Sequence, residues 1–406
     1  MQSPPDKRRS VTLLVIAEFA AMSLWFSAAA VLPDMVREVS LSAARQAMLA
    51  SAVQGGFVIG ALAIAVSGVA DRYDPRRVFA LCALLAAVAN ALLLFVPVGH
   101  GLAIALRAAT GALLAGVYPV GMKIAVGWGQ RDRGFLVGLL IGALTVGAAS
   151  PHLISLLGGA DWRPTIVVTT LLALAGAVIV LGTKLGPLHA RAAAFRAAAI
   201  LTAWTDRRIR LAFFGYFGHM WELYVMWAWI GVALLPAYAL HLAPQAASDF
   251  AKLTAFCAIG IGGLSCVLAG VVADRIGKIE VATLAMVASG TAALATAATY
   301  GWAPWLTFVL VLFWGATVIA DSAQFSAVVS DLAPPDLSGS LLTLQTALGF
   351  LLTCITIQLA PIAADAFGWP ATLAALAAGP AFGVTAMLRL RALVATPATA
   401  HSDVSS

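Results

Sequence analysis

The sequence predicts an all-α membrane protein of twelve transmembrane helices in two pseudo-symmetric halves of six. Three observations predict it: long apolar spans that recur along the chain, basic residues gathered on one side of those spans, and an internal echo at a nearly fixed offset. The 406 residues are 62% hydrophobic and only 10% charged, with a mean hydropathy of +0.96. Polar side chains are too few to cover a water-soluble body of this size. A bilayer core about 30 Å thick needs about 20 apolar residues per helix. Spans free of Asp, Glu, Lys and Arg run through 46–70, 78–106, 134–160, 164–183, 223–248, 253–273, 337–364 and 366–388. Residues 281–320 suffice for two crossings, divided near "YGWAPW". Residues 11–33, 101–123 and 209–236, each with an internal charge, complete the twelve, the last overlapping 223–248.

The first span follows "KRR" (7–9) and ends near "SAAA" (27–30), a pattern close to a signal peptide. It is long and contains Glu18, so a retained first helix is expected. Cys82, Cys257, Cys266 and Cys354 all fall inside apolar spans and read as small core residues. No zinc spacing or phosphate loop is present, so no cofactor or metal is expected.

With the N-terminus cytoplasmic and twelve helices alternating, eighteen Lys and Arg face inward. Only Arg37, Arg45, Arg163 and Lys252 face outward, and Arg107 and Lys123 lie within helices. This bias orients the chain with both termini in the cytoplasm, as in a bacterial inner membrane. It also explains the net charge of +6 without any nucleic-acid partner.

The halves repeat each other. "LWFSAAAVLP" ends at Pro33 and "WAWIGVALLP" at Pro236, while Asp71 of "GVADR" and Asp274 of "GVVADR" are again 203 residues apart. Trp162 of "DWRP" and Trp369 of "GWP" lie 207 apart. The division is therefore 1–185, a linker at 186–208 able to form a surface helix, and 209–406. A charged loop at "SGVADRYDPRRV" (67–78) stops the second helix and starts the third.

Two six-helix halves, a basic central loop and "DR" loops after the second and eighth helices resemble the major facilitator superfamily. Its loop signature, roughly G-x-L-A-D-R-x-G-R/K-R/K, is matched by "GVVADRIGK" (270–278). In the first copy Ser67, Asp74 and Pro75 replace the two glycines and a basic residue. The resemblance implies a secondary transporter whose substrate class stays open. It also implies a gating role for Asp71, Arg72, Arg76, Asp274, Arg275 and Lys278, with Asp71 capping a helix end and pairing with arginines across the half interface.

Charges inside the membrane are costly and point to function. Glu18, Glu222 and Asp321 lie in helices 1, 7 and 10, and Arg107 and Lys123 in helix 4, joined by His152 and His219. The offset places Glu18 beside Glu222 in symmetry-related helices, and the resemblance implies that helices 1, 4, 7 and 10 line a central cavity. One reading is proton coupling, with Glu222 as the first candidate, then Glu18 and Asp321, and His219 three residues away as relay. The other is a structural ion pair, for instance Glu18 or Glu222 with Arg107. Arg107 opens "RAATG", similar to the superfamily's R-x-x-x-G in helix 4, and needs a carboxylate, backbone carbonyls or an anionic substrate as partner.

Helix 7 is rich in aromatics. Tyr216, His219, Met220 and Tyr224 share a face, and Trp221 is displaced from it. With Trp25 of helix 1 they make a candidate cavity wall for a solute with an apolar part. Phe213 and Trp229 are expected toward lipid or the interfacial belt. Gly134, Gly138, Gly142 and Gly147 of helix 5 read as close-packing positions, and Ser150-Pro151-His152 interrupts the superfamily's antiporter pattern. Three functions follow: a proton-coupled carrier of a small organic solute, a small-anion carrier resembling the nitrate, nitrite and cyanate branch, or a non-transporting scaffold or sensor. The anion carriers place arginines in helices 2 and 8, absent from 46–70 and 253–273. No nucleophile, base and orienting group occur together, so an enzyme is not expected. A monomer is the superfamily default.

Overall fold

The computed structural model describes residues 4–130, 132–159, 161–189, 196–334 and 336–395, with the side chains of Pro4, Pro5, Ala70, Asp71 and Arg133 left aside. The regular structure among these residues is helical, without a strand. In chain order, α1 runs through Pro4–Met22, Ser27–Ala30 and Leu32–Glu38, α2 is Ala43–Ser67, and α3 is Pro75–Phe95. Helix α4 is Gly101–Val126, α5 Arg133–Gly158, and α6 Arg163–Gly182. A short linker helix, Ala198–Thr205, precedes α7 (Arg207–Ala239), α8 (Pro244–Ile276) and α9 (Lys278–Ala298). Helix α10 is Pro304–Leu332. The final stretch, Ser338–Ala395, turns at Gly368, whose φ of 82° ends α11 (338–367) and starts α12 (369–395).

Among the described residues, ten stretches are long and apolar enough to cross a membrane. Counting the two legs of the last one and adding the broken α1 gives twelve candidate crossings. Helix α8 begins at Pro244 rather than 253, which brings Lys252 inside the helix.

The charged loop after α2 is built from stop and start signals. Gly68 adopts φ 64° and closes α2. Asp74 then caps α3, its Oδ1 accepting from the Arg76 amide at 3.0 Å with Pro75 at the first helical position. Asp206 caps α7 in the same way, accepting from the Arg208 amide at 2.8 Å.

Small residues set the helix contacts. A Cβ on Gly56 or Gly60 of α2, or on Gly111 of α4, would lie 1.8–2.1 Å from a carbonyl oxygen of the facing helix. That leaves room only for glycine. Gly218 of α7 and Gly379 and Gly383 of α12 repeat the device. Helices α1–α6 meet α7–α12 mainly through α5 on α8 and α2 on α11. Gly142 and Gly263 approach closely at the first seam, and Gln358 Nε2 donates to Ser51 Oγ at 3.3 Å across the second. Of the helix 5 glycines, Gly138 and Gly142 face α8, Gly147 faces α1, and Gly134 meets nothing within 4 Å.

Candidate functional site

Helices α1, α4 and α10 are interrupted, at 23–26, 115–117 and 319–321. Each interruption frees backbone carbonyls that must be satisfied away from water. Arg107 does this for α1. Its Nη2 donates to the carbonyls of Leu24 and Trp25 at 3.0 and 2.8 Å, and its Nη1 to Ser27 Oγ and Asn90 Oδ1 at 3.0 and 3.2 Å. Asn90 Nδ2 continues to Ile166 O and to the hydroxyls of Thr169 and Thr170. Arg107 therefore splints a broken helix and holds no carboxylate. Asn90 went unremarked in the sequence, although an amide in the apolar run of α3 is itself a signal.

The acids sit elsewhere. Glu18 is fully buried, and neither carboxyl oxygen has a hydrogen-bond partner among the described residues. It packs against Gly121 of α4, where an added Cβ would meet Oε2 at 2.5 Å, and beside Phe79 of α3. Glu222 is also buried, turned toward α9 and α10. Its Oε1 accepts from Trp314 Nε1 at 2.7 Å and its Oε2 from Ser289 Oγ at 2.8 Å. Helices α3 and α4 correspond to α9 and α10 under the internal repeat, so the two glutamates point the same way within their own six helices. Asp321 stands at the break of α10, with Oδ1 2.8 Å from His219 Nδ1, and both groups are buried. His219 thus serves Asp321, not Glu222. The spacing of three placed it next to Glu222 on the helix but could not show that α10 offers a closer acid.

A plug of rings is drawn from both sets of helices, around Trp25 of α1 and Tyr224 of α7. Trp25 of α1 is 5.0 Å from Phe57 of α2, 5.6 Å from Phe350 of α11 and 6.0 Å from Tyr224 of α7. Phe57 and Phe350 stand 4.6 Å apart across the α2–α11 seam. Tyr216 and Met220 press on Gly349 of α11, one turn from the plug. Inside this region the indole nitrogens of Trp25 and Trp227 and both amide atoms of Gln345 are buried without partners among the described residues. Trp221 is placed differently from the expectation: its indole donates to Ala375 O of α12 at 3.4 Å, on the outer seam of α7. Phe213 and Trp229, expected toward lipid, are buried, and Trp229 Nε1 donates to Ile357 O at 3.0 Å. Aromatic spacing on one helix does not reveal which faces its neighbours cover.

Comparison with known families matches residues 14–357 to the Major Facilitator Superfamily. The chain belongs to the major facilitator superfamily. No curated protein sequence matches it. Among solved structures it resembles a bacterial homologue of the human lysosomal transporter Spinster, in an inward-facing and unoccupied conformation, with a TM-score of 0.74 at 13% identity, covering 98% of this chain and 100% of that one. A D-xylose–proton symporter gives 0.73 at 16% identity, covering 96% and 97%. The nucleoside transporter NupG gives 0.69 at 15% identity, covering 94% and 99%. At these identities the likeness is one of fold.

In this superfamily member the two rims differ. At the rim that holds residues 4 and 395, every described ion pair stays within one set of six helices or involves the linker. Lys7 binds Asp132 at 2.7 Å, Lys184 binds Asp6, Lys278 binds Asp331, and Arg391 binds Glu280. Arg196 of the linker pairs with Asp336. Arg76 grips its own helix cap, with Nη2 2.6 Å from Asp74 and Nη1 donating to Thr183 O at 2.9 Å. Arg72, Asp274 and Arg275 are exposed, and the side chain of Asp71 lies outside the described ones. Arg76 and Lys278 thus find partners within their own six helices rather than across the interface. At the opposite rim Lys252 of α8 reaches Asp34 of α1, Nζ to Oδ2 2.9 Å, and both are buried. That pair joins the two sets of helices. The sequence counts Lys252 among the outward-facing bases and singles out nothing at Asp34, although a Lys so near an apolar run was a usable signal.

Proposed function

We propose that the chain carries a small organic solute across the membrane by alternating access, with movement coupled to protons. The two moving bodies are residues 1–185 and 209–406, joined by 186–208, and the charge bias puts both termini in the cytoplasm. One observation carries the coupling: Glu18, Glu222 and Asp321 are buried in α1, α7 and α10, and among the described residues none is bonded to a Lys or Arg. A structural ion pair would need such a partner, and Arg107 is committed to the broken α1. An acid held by neutral donors, or by a histidine, can change its protonation state in place. Glu222 and the His219–Asp321 pair are the coupling groups, with Glu18 as the further candidate in the other set of six helices. Trp25, Tyr216, Met220 and Tyr224 form the apolar wall that meets the solute, and the buried ion pair opposite the termini matches a body closed on that side.

The test is thermal unfolding of detergent-purified protein against organic acids, amphipathic cations, sugars, nitrate and cyanate, at mildly acidic and mildly alkaline pH. A solute that binds the folded state raises the midpoint by mass action. The reading expects an organic solute to do so in a pH-dependent way that Glu222→Gln abolishes; a pH-independent shift retained in Glu222→Gln contradicts it. A small-anion cargo is the second reading, favoured by Lys252, which α8 carries inside its span.

A further inference from the structure

Lys252, of the buried pair with Asp34, lines a narrow chamber that the coupling acids do not touch. It lies between α1, α5, α7 and α8, and its walls are mostly small: Ala29 and Ala30, Ala228 and Gly231, and Ala251. The polar groups that face it are Lys252, His152 and Ser248. His152 is 97% buried (3% exposed), and its Nε2 has no hydrogen-bond partner among the described residues. An unsatisfied ring nitrogen so deeply buried calls for a ligand.

The local charge says which kind. Asp34 is the carboxylate here, and it faces two cations. Its Oδ1 pairs with Arg37, and its Oδ2 accepts from Lys252 Nζ at 2.9 Å and from Ser155 Oγ at 3.4 Å. Of the two cations, Arg37 is half exposed while Lys252 is buried behind apolar walls, which concentrate its field. Lys252 spends its other donors weakly, at 3.3 and 3.4 Å from the carbonyls of Gly159 and Ser155. It is therefore the cation with hydrogens to give, while Asp34 keeps Arg37 and Ser155 if Lys252 leaves it.

We propose that this chamber captures a small monoanion, a carboxylate or an inorganic anion of similar size, which displaces Asp34 from Lys252 and is met by His152 Nε2. Exchange of one anion for another costs little charge separation, yet it breaks the described ion pair that ties α1 to α8. Capture on this side thus unlatches it. The inference rests on the alternating-access reading but not on its proton coupling, and it assigns the cargo a charge.

The test measures apparent affinity by thermal unfolding with lactate, gluconate, nitrate and cyanate, against lactamide and glucose as uncharged controls. An anion is expected to bind and its control not to. Lys252→Met and His152→Ala should weaken binding by roughly tenfold or more. Asp34→Asn removes the internal competitor while keeping its shape, and should strengthen binding by a similar factor. A merely structural pair gives the same sign for Lys252→Met and Asp34→Asn, and that result overturns the proposal. So does binding of the neutral controls alone. Binding of lactate or gluconate but not nitrate or cyanate identifies an organic carboxylate, and the reverse identifies an inorganic ion. As a second readout, spin labels at Asp161→Cys and Ala246→Cys in a cysteine-free background should move apart on adding the anion. They should stand apart without it in Lys252→Met, and unchanged distances there contradict the latch. If the anion binds as described while Glu222→Gln leaves proton movement intact, the coupling reading fails and this inference stands.

Discussion

Arg107 shows how much a single residue carries when water is absent. Its four described contacts serve a helix that stops hydrogen-bonding to itself at 23–26. Lys keeps the charge but lacks the planar guanidinium fork that reaches two carbonyls, Ser27 and Asn90 together. Arg107→Lys should lower stability, each stranded buried acceptor costing about 1–3 kcal/mol, as read by denaturant unfolding in detergent. A variant as stable as the parent would mean the break is held by other contacts. At the rim, Asp132 is kept below the usual carboxylate range, first by the hydrogen bond from Lys7. A depressed folded value adds stability above the ordinary value of about 4 and loses it as pH falls through the folded value. Lys7→Met should therefore lose stability at neutral pH and converge with the parent in acid, in paired melts across pH. Residue identities made Arg107, Glu18, Glu222 and Asp321 legible as costly groups. Their partners were not legible, because pairings such as His219 with Asp321 or Lys252 with Asp34 depend on which helices become neighbours.

The helices follow local rules that the sequence states openly, and their contacts follow rules it states only in part. Asp74 and Pro75 start α3, Asp206 starts α7, and Gly68 ends α2. Boundaries were less legible where apolar and polar residues mix: α8 reaches back to Pro244 past Lys252, and α1 runs on past its break to Glu38. Glycine spacing indicated close packing without naming the partner. Gly111 faces Val53 O, where a Cβ would sit 1.9 Å away, whereas nothing lies within 4 Å of one on Gly270. Gly111→Ala should cost about 1–3 kcal/mol or more through overpacking. Gly270→Ala should be neutral or slightly stabilising by helix propensity, up to about 1 kcal/mol. Equal melting temperatures for the two variants would contradict the packing assigned to α2 and α4.

For the whole molecule, the echo at 203 residues and the charge bias made the twelve-crossing architecture legible before any contact was known. What they left out is the asymmetry between the rims. Ion pairs at the terminal rim stay within each set of six helices or involve the linker, while Lys252 and Asp34 clasp the two sets opposite. Repeats place related helices at related depths but do not say which rim is shut, since that depends on pairings the two halves do not share. The acids at matched depth, Glu18 and Glu222, are the feature on which the proposed proton coupling rests. The most direct measurement is proton flux into proteoliposomes holding a trapped pH-sensitive dye, after adding gluconate, glucose, nitrate or an amphipathic cation. The account predicts that at least one of these drives proton movement with the parent protein. It also predicts that Glu222→Gln stops that movement while still exchanging labelled solute for unlabelled. Proton movement that persists unchanged in Glu222→Gln, Asp321→Asn and Glu18→Gln would contradict it.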